Sequence, residues 1–351
     1  MARDWLLYGA YGYTGELTAR LAAEKGMKPI LAGRDPAKLE EVARRYNLDY
    51  RVASLDDPSS IDRALAGVAV VLHTAGPFSH TYKAMSDACL RQKVHYLDIT
   101  GEIAVYEGLA ARDQEARSAG IMLMPGVGFD VVPSDNLATY LKNRLPDANQ
   151  LALAFQGLGR VSRGTANTMT ESMGRPGAIR QNGKIIPVPP GYKTRTVDFG
   201  RGPTDVVTIP WGDVSTAYYS TGIPNIEVFT AMPPAAMKSL RMSRYIGWLL
   251  RLGPVQNYLK AQIKKKKPGP DDTERQRGAS LLWGEVRNAA GQSHSSRIHG
   301  PEGYTLTALT SLIIVDRVLH GKVSPGFQTP SKMYGPDLIM EVPGVIREDL
   351  S

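Results

Sequence analysis

The stretch Gly9-Ala10-Tyr11-Gly12-Tyr13-Thr14-Gly15 follows the apolar segment Trp5-Leu6-Leu7-Tyr8 and precedes a helical pattern over residues 16–25. A strand, a glycine turn and a helix in this order are what binding of a dinucleotide pyrophosphate requires. Gly9 permits a tight turn, Gly12 lets backbone N–H groups approach phosphate, and Gly15 lets the helix pack close to the strand. The N–H groups and the positive dipole end of the helix then face the anion. The sequence therefore predicts a cofactor site with six contributing residues: Gly9, Tyr11, Gly12, Tyr13, Thr14 and Gly15.

The next predicted strand, residues 28–32, indicates which dinucleotide is bound. It ends at Gly33-Arg34-Asp35, and a second helical pattern begins at Pro36. NAD enzymes normally carry an acidic side chain at this strand end to hold the ribose 2′-OH, whereas an arginine suits a 2′-phosphate. Arg34, with Lys38 one helical turn further on, therefore predicts NADP (NADPH) as the cofactor. Asp35 is interpreted as the N-cap of its helix, with Pro36 at the first helical position.

Strand and helix patterns continue to alternate through the first third of the chain. Further strands are predicted at 50–53, 68–74, 95–99 and 121–124, and one helix is predicted at 106–119. Near-continuous apolar strands separated by helices are typical of an α/β fold, here a Rossmann doubly wound parallel sheet. Ligands bind beyond the carboxyl ends of such strands. The loops there complete the predicted cofactor set with Gly33, Asp56, Ala75, Gly76 and Pro77.

The pattern changes after about residue 150, where short strands with few intervening helices predict a second, α+β domain. Residues 304–319 form a helical pattern that would carry the chain back to the first domain. We predict an NADP-binding Rossmann domain at 1–140, an α/β substrate domain at 141–300, and a C-terminal helix and tail at 301–351 packing on the Rossmann domain. The strands of the second domain are predicted at 151–157, 195–199, 206–210, 215–220, 227–231, 280–287 and 292–299, and its helices at 164–173 and 235–263.

The composition is that of a soluble globular protein, with 42% hydrophobic and 22% charged residues among 351. The single cysteine, Cys89, excludes an internal disulfide and a thiolate-rich metal site. The six histidines are scattered, so no metal is predicted. Because the chain enters a strand within its first residues and its apolar run at 304–315 is too short to span a bilayer, we expect a cytoplasmic location.

The net charge of +8 is concentrated in one segment. Between residues 235 and 269 there are nine lysines and arginines and no acidic residue, so the rest of the chain is close to neutral. On a helical projection Met242, Ile246 and Leu249 lie opposite the cations. The pattern fits a helix on an anionic membrane surface, a contact with an acidic partner, or an ordinary amphipathic helix with a solvated face. A nucleic-acid role is not predicted, because no recognised binding fold accompanies the basic residues. A homodimer stays open.

Several local strings together resemble the saccharopine dehydrogenase-like oxidoreductases, a family that includes trans-acting enoyl reductases. They are the glycine turn at 9–15, Ala32-Gly33-Arg34, Thr74-Ala75-Gly76-Pro77-Phe78, Cys89, His95-Tyr96-Leu97-Asp98-Ile99-Thr100-Gly101-Glu102, and Gly128-Phe129-Asp130-Val131-Val132-Pro133-Ser134-Asp135. The resemblance is dense from residue 5 to about 140 and weak beyond. It implies a Rossmann domain, an inserted α/β substrate domain, and hydride transfer from a nicotinamide cofactor.

Four polar residues at the ends of the fifth and sixth strands are candidates for the catalytic proton transfer: Tyr96, Asp98, Glu102 and Asp130. A carboxyl among them would donate a proton if burial raised its pKa. The alternatives are structural. Asp98 and Glu102 would then form a hydrogen-bonded pair that fixes a loop, and Asp130 would cap the segment beside Pro133.

The resulting functional hypothesis is an NADP-dependent reductase acting on a C=C or C=N bond of a small or lipid-like substrate. One alternative is an imine reductase of an amino-acid or polyamine conjugate, for which Arg160, Arg163, Arg175 and Arg180 would supply cations for substrate carboxylates. The other is a non-catalytic NADP-binding protein held at the membrane periphery.

Overall fold

The computed structural model of the chain describes residues 4–350. These residues form two compact units, and the chain leaves the first unit and later returns to it. The first unit consists of the residues up to Val132 together with Tyr304–Met333, and the second of Pro133–Gly303 together with the residues from Tyr334 onward.

The first unit is built around a parallel sheet. Six strands lie side by side in the order β6-β5-β4-β1-β2-β3, and the order reverses between β1 and β4. The predicted doubly wound parallel sheet is thus confirmed. The elements are β1 (Asp4–Tyr8), α1 (Tyr13–Glu24), β2 (Ile30–Gly33), α2 (Pro36–Tyr46), β3 (Tyr50–Val52), α3 (Pro58–Leu65), β4 (Val68–His73), α4 (Phe78–Gln92), β5 (His95–Asp98), α5 (Ile103–Ala110), α6 (Asp113–Ala119) and β6 (Met122–Met124).

The central strands are buried on both faces. In β1 the successive side chains Trp5, Leu6 and Leu7 are all enclosed, and β2 is buried throughout. A strand that is covered on both faces has no solvent-exposed positions for polar residues, so its sequence is a continuous apolar run. Cys89, on α4, is buried and unpaired, and its burial raises the pKa of the thiol.

The second unit contains a mixed sheet with strands in the order β10-β11-β12-β7-β13-β14. Among the strand pairs of this sheet within residues 4–350, only β12–β7 is parallel, and the hairpin β8–β9 joins the sheet through β12. The elements are α7 (Val132–Arg144), β7 (Gln150–Leu158), α8 (Arg163–Ser172), β8 (Gly177–Gln181), β9 (Lys184–Val188), β10 (Thr194–Asp198), β11 (Pro203–Thr208), α9 (Asp213–Thr221), β12 (Asn225–Ala231), α10 (Pro234–Leu250), α11 (Gly253–Lys264), α12 (Asp272–Arg277), β13 (Ala279–Arg287) and β14 (Ser293–Pro301).

The C-terminal part of the chain serves both units. Most of α13 (Gly303–Leu319) and all of β15 (Gly326–Phe327) lie in the first unit, where β15 pairs in parallel with β6. After α14 (Pro330–Tyr334) and a 3-10 helix (Leu338–Glu341), β16 (Ile346–Asp349) pairs antiparallel with β14 in the second unit. The expectation that the whole tail packs on the Rossmann domain is therefore wrong, because its last strand completes the edge of the other sheet.

Four further expectations need correction. Residues 215–220 form part of helix α9 and not a strand, and residues 235–263 form two helices, because Leu252-Gly253-Pro254 interrupts them. Residues 106–119 likewise form two helices, α5 and α6. The first unit ends at Val132 rather than at residue 140, since α7 packs in the second unit from Pro133 onward. The hairpin β8–β9 was not expected.

Candidate functional site

The glycine turn lies at the carboxyl end of β1, next to the point where the strand order reverses. Gly9 has a φ of +86°, and its N–H donates to the carbonyl of Ala32 at 2.8 Å. A Cβ on Gly15 would lie 2.3 Å from the carbonyl oxygen of Gly9, and one on Gly9 would lie 2.9 Å from the amide nitrogen of Ala75. No side chain fits at either position. The turn therefore brings the backbone at the end of β1, the start of α1 and the loop after β4 into close contact.

Helix α1 begins at Gly12, which is its N-cap and is exposed. Because Gly12 has no side chain, it provides no side-chain cap for the first turn of α1. Tyr13 packs its ring edge-on against Tyr304 at the start of α13, with 5.0 Å between the ring centroids. The Thr14 carbonyl accepts a hydrogen bond from the hydroxyl of Thr18. At the edge of the sheet the N-terminus of α1 thus consists of backbone N–H groups and the partly buried side chains of Tyr13 and Thr14.

The end of β2 brings together four of the predicted cofactor residues. The Tyr11 ring lies over Gly33, where a Cβ would come within 2.6 Å of it. Lys38 stands 5.7 Å from the centroid of the same ring and forms a 3.0 Å ion pair with Asp35. Arg34 is exposed beside them. Asp35 also accepts from the backbone N–H of Lys38, as expected for an N-cap. These bonds lower the pKa of Asp35, mainly through the Lys38 side chain.

Asp56 follows β3 at the same edge and is exposed. Its backbone N–H donates to the hydroxyl of Ser54 at 3.3 Å. Nearby, the Tyr8 hydroxyl donates to the carbonyl of Ala53, and burial raises the pKa of Tyr8 to about 12. The structure therefore shows Asp56 as an exposed side chain on a loop held by its own hydrogen bonds.

The loop Ala75-Gly76-Pro77 follows β4 and is held by Thr81, which in turn contacts His73. Neither residue was identified from the sequence. The Thr81 hydroxyl donates to the Ala75 carbonyl at 2.9 Å and lies 2.9 Å from Nε2 of His73. Burial lowers the pKa of His73 to about 3, so the ring is neutral. Because Thr81 donates to Ala75, it accepts from His73, which places the imidazole proton on Nε2. A histidine ending the apolar run Val68-Ala69-Val70-Val71-Leu72 was the available signal.

Glu102 caps the helix that follows this loop. Its two carboxylate oxygens accept hydrogen bonds from the backbone N–H groups of Phe78 at 2.7 Å and Ser79 at 3.1 Å. These amides belong to the first turn of α4, which has no intrahelical partner for them. Glu102 therefore joins the ends of β5 and β4 and does not pair with Asp98.

Tyr96 and Asp98 are fully enclosed in β5. The Tyr96 hydroxyl donates to Asp98 at 2.6 Å, and one Asp98 oxygen accepts from the N–H groups of both Thr100 and Gly126 at 2.9 Å. Burial raises the pKa of Asp98 to about 6 and that of Tyr96 well above its usual range, whereas the hydrogen bonds to Asp98 oppose the shift of the carboxyl. The geometry ties the end of β5 to the loop after β6 and encloses both groups.

Asp130 is the one predicted acid that is neither buried fully nor hydrogen-bonded. Its carboxylate packs against Gly101, where a Cβ would lie 3.2 Å from the carboxyl carbon. Within residues 4–350 no hydrogen bond to this carboxylate is present. Burial, together with the charge of Glu102, raises the pKa of Asp130 to about 7. A carboxyl group that is half protonated near neutral pH is suited to general acid–base chemistry.

These contacts join the predicted site residues along one edge of the parallel sheet. Tyr11 meets Gly33, Gly9 meets Ala75, and Glu102 reaches Phe78. The groups a dinucleotide needs are present: a side-chain-free turn, a helix start and a cation beyond β2. In the part of the chain that the structure describes, no cluster of three or more His, Cys, Asp or Glu side chains is placed to hold a metal ion. No helix within residues 4–350 has both the length and the apolar character needed to cross a bilayer.

Comparison with known proteins agrees with this geometry. Residues 5–124 match the model of the saccharopine dehydrogenase NADP-binding domain. A trans-acting enoyl reductase of Mycobacterium leprae is 32% identical over 140 residues, covering 38% of this chain and 34% of that protein. A trans-acting enoyl reductase of Mycobacterium tuberculosis is 27% identical over 215 residues, covering 57% of this chain and 51% of that protein. The chain thus spans about a third to a half of the length of these curated relatives.

Among solved structures, apo saccharopine dehydrogenase (L-Glu forming) from Saccharomyces cerevisiae has the same fold. It superposes with a TM-score of 0.70 at 14% identity and covers 99% of this chain and 100% of that one. At this identity the likeness concerns the fold alone. Residues 5–124 are thus similar to the NADP-binding domain of saccharopine dehydrogenase, and the chain shares the fold of that enzyme.

Proposed function

We propose that the chain is an NADPH-dependent reductase that transfers hydride to a C=C (enoyl) or C=N bond of a small or lipid-like substrate. The observation that carries the proposal is the single sheet edge on which the glycine turn, Arg34 and Asp130 all lie. The nicotinamide, when bound, supplies the hydride. The protein then has to bind and orient the cofactor and the substrate and to provide one proton.

The cofactor would be held by the residues that form this edge. Backbone N–H groups at Gly12 and the start of α1 would bind the pyrophosphate, and Arg34 would pair with the 2′-phosphate. Lys38 contributes less, because its charge is already paired with Asp35 at 3.0 Å. Asp56 lies where the adenine half would end, and Ala75-Gly76-Pro77 would border the nicotinamide ribose.

The proton would come from Asp130. Reduction of a C=C or C=N bond adds a hydride to one atom and a proton to the other. Asp130 has a pKa of about 7 and is partly exposed, so about half of these carboxyl groups hold a proton at neutral pH and can release it. Tyr96 and Asp98 are enclosed and bonded to each other, which supports a structural role for both. Glu102 acts on Asp130 through its charge, because its oxygens are engaged at α4.

The substrate preference rests on the arginines of the second unit. Arg180 is buried and donates to the carbonyls of Val214 and Gly183. Arg163 donates to the carbonyl of Lys266, and Arg160 is paired with Glu274. Three of the four cations that would hold an amino-acid carboxylate are thus engaged within the protein. Together with relatives named as enoyl reductases, this favours an enoyl substrate over an amino-acid imine.

The test is NADPH oxidation with a panel of enoyl thioesters and imines, run in parallel with NADH. We expect turnover of at least one enoyl compound, with a lower KM for NADPH than for NADH. Turnover of amino-acid imines alone would replace the enoyl assignment with the imine alternative. Tight NADPH binding without turnover of any compound would favour a non-catalytic cofactor-binding protein, and absence of NADPH binding would refute the proposal.

A further inference from the structure

Helices α10 and α11 leave a row of large apolar and aromatic side chains in solvent. Trp248 and Tyr258 are each 64% exposed, and four more members of the row exceed 40%: Met242, Tyr245, Ile246 and Leu252. Isolated exposed apolar residues are common on proteins, but six within seventeen positions of one helix pair form a patch. We call these six side chains the apolar row. A patch of this kind marks a surface that a membrane or another molecule covers.

Several contacts anchor the two helices on the second unit. Among the α10 side chains Met237 is buried, and Gly247 lies against Gly174 so closely that a Cβ on Gly247 would be 2.9 Å from the Gly174 carbonyl oxygen. The side-chain amide of Gln256 on α11 donates to the Thr170 carbonyl at 3.0 Å, and Lys260 pairs with Glu171 of α8. These contacts involve α8 and the turn after it, Arg241 of α10 also lies against Gly191, and the apolar row stays exposed.

The charge of the same segment restricts what can cover the row. Nine lysines and arginines and no acidic residue lie between positions 235 and 269, ending in the run Lys264-Lys265-Lys266-Lys267. A second copy of the chain is disfavoured, because a two-fold contact brings the same patch of each copy together and would oppose like charges. The cover must therefore be anionic as well as apolar.

We propose that α10, α11 and the lysine run dock on the surface of an anionic lipid bilayer. Tryptophan and tyrosine are the residues that prefer the level of the lipid headgroups, and the Arg244 guanidinium already stacks on the Tyr245 ring at 4.7 Å. Lysines next to an inserted apolar row add attraction to acidic headgroups. An acidic protein would satisfy the charge but would not require so many exposed apolar side chains. The proposal is independent of the reductase assignment.

The experiment is co-sedimentation of the full chain with phosphatidylcholine vesicles that contain or lack phosphatidylglycerol. We expect binding to the anionic vesicles, weakened by salt, with a blue shift of tryptophan emission. Trp248→Phe should remove most of that shift while leaving binding nearly intact, which would place Trp248 at the interface. Tyr245→Ser with Trp248→Ser, and separately Lys264, Lys265, Lys266 and Lys267→Gln, should each lower partitioning at least tenfold.

The matched control replaces four exposed lysines elsewhere, Lys25, Lys28, Lys184 and Lys332, by glutamine. It carries the same loss of charge and should bind within about twofold of the unmodified chain. Equal losses in both lysine variants would overturn the proposal, because net charge alone would then explain binding. Failure to bind anionic vesicles at low salt, or a dimer in solution that shields Trp248, would overturn it as well.

Discussion

The hydroxyl of Tyr96 donates a 2.6 Å hydrogen bond to the carboxylate of Asp98, and solvent reaches neither side chain. The other oxygen of Asp98 binds the amides of Thr100 and Gly126. Three donors, one on β5 and two in separate loops, thus converge on one buried carboxylate. A buried acceptor that loses a donor retains its desolvation cost, so each donor matters for stability.

Tyr96→Phe removes one of these donors and should lower the free energy of unfolding by about 1–2 kcal/mol. The rate of NADPH oxidation by the folded variant should stay within about threefold of that of the unmodified chain, because the hydroxyl does not reach a ligand. Thermal unfolding and steady-state kinetics on the same preparation measure both quantities. A stable variant that is a hundredfold slower would instead place Tyr96 in the chemistry.

Arg34→Ala should weaken NADPH binding by roughly 10- to 100-fold and change NADH binding little, since only NADPH carries the 2′-phosphate. Lys38→Ala should have a smaller effect, because Asp35 already pairs with Lys38. Fluorescence titration with both nucleotides is the measurement. Arg44→Ala is the matched control, an exposed arginine on α2 whose loss should leave both affinities unchanged. Equal weakening of NADH would contradict the role given to Arg34.

Gly15→Ala should abolish tight NADPH binding and lower the thermal midpoint of unfolding, because the added methyl group would lie 2.3 Å from the Gly9 carbonyl oxygen. The turn must open or α1 must move, and either change displaces the amides offered to the pyrophosphate. Gly157→Ala is the control, since no atom lies within 4 Å of the Cβ it would add. Calorimetric titration of both variants with NADPH measures the affinity. Normal affinity in Gly15→Ala would contradict the close packing of the turn.

Asp130→Asn should slow reduction and remove a pH dependence. With a pKa of about 7, the Asp130 carboxyl holds its proton below neutrality and loses it above, so kcat of the unmodified chain should fall as the pH rises through about 7. The variant cannot donate that proton, and we expect its kcat to drop by roughly 10²- to 10⁴-fold and to be flat across this range. A variant with unchanged rate and unchanged pH profile would exclude Asp130 as the acid.

The same substitution has an opposite effect on stability. The folded pKa of Asp130 lies above its usual value of 3.8, so the folded state binds the proton more tightly than the unfolded chain does. The contribution of Asp130 to stability is therefore most favourable below about pH 4 and declines as the pH rises towards about 7. Asp130→Asn removes this decline and should gain roughly 1–3 kcal/mol at about pH 8, with little change at about pH 4. Thermal unfolding at the two pH values measures the difference.

The parts of the fold and site that the sequence predicts are those with local causes. The turn at Gly9 and the buried strands of the first unit have signatures within a few residues, as does Arg34 at the end of β2. Residues 215–220 show the limit of such patterns. Serine, threonine and tyrosine there favour a strand, yet the segment lies in helix α9, whose first five residues, 213–217, are all buried.

Long-range contacts explain the remaining differences. The engagement of Glu102 depends on amides 24 residues away in sequence, and β16 pairs with a strand about fifty residues earlier. No local pattern encodes either contact. The neutral His73 was missed for the same reason, because its burial between the rings of Tyr8 and Phe78 is visible only once β1 and β4 are adjacent.

The engagement of Glu102 at the start of α4 has a consequence for how an elongated anion lies on this sheet. Two long helices begin at neighbouring strand ends, and the positive pole of one is already neutralised from within the protein. The other starts at Gly12, which offers nothing but backbone. A negatively charged ligand therefore meets one attractive helix pole and one satisfied pole, so we expect its charge to lie at the start of α1 and not at the start of α4.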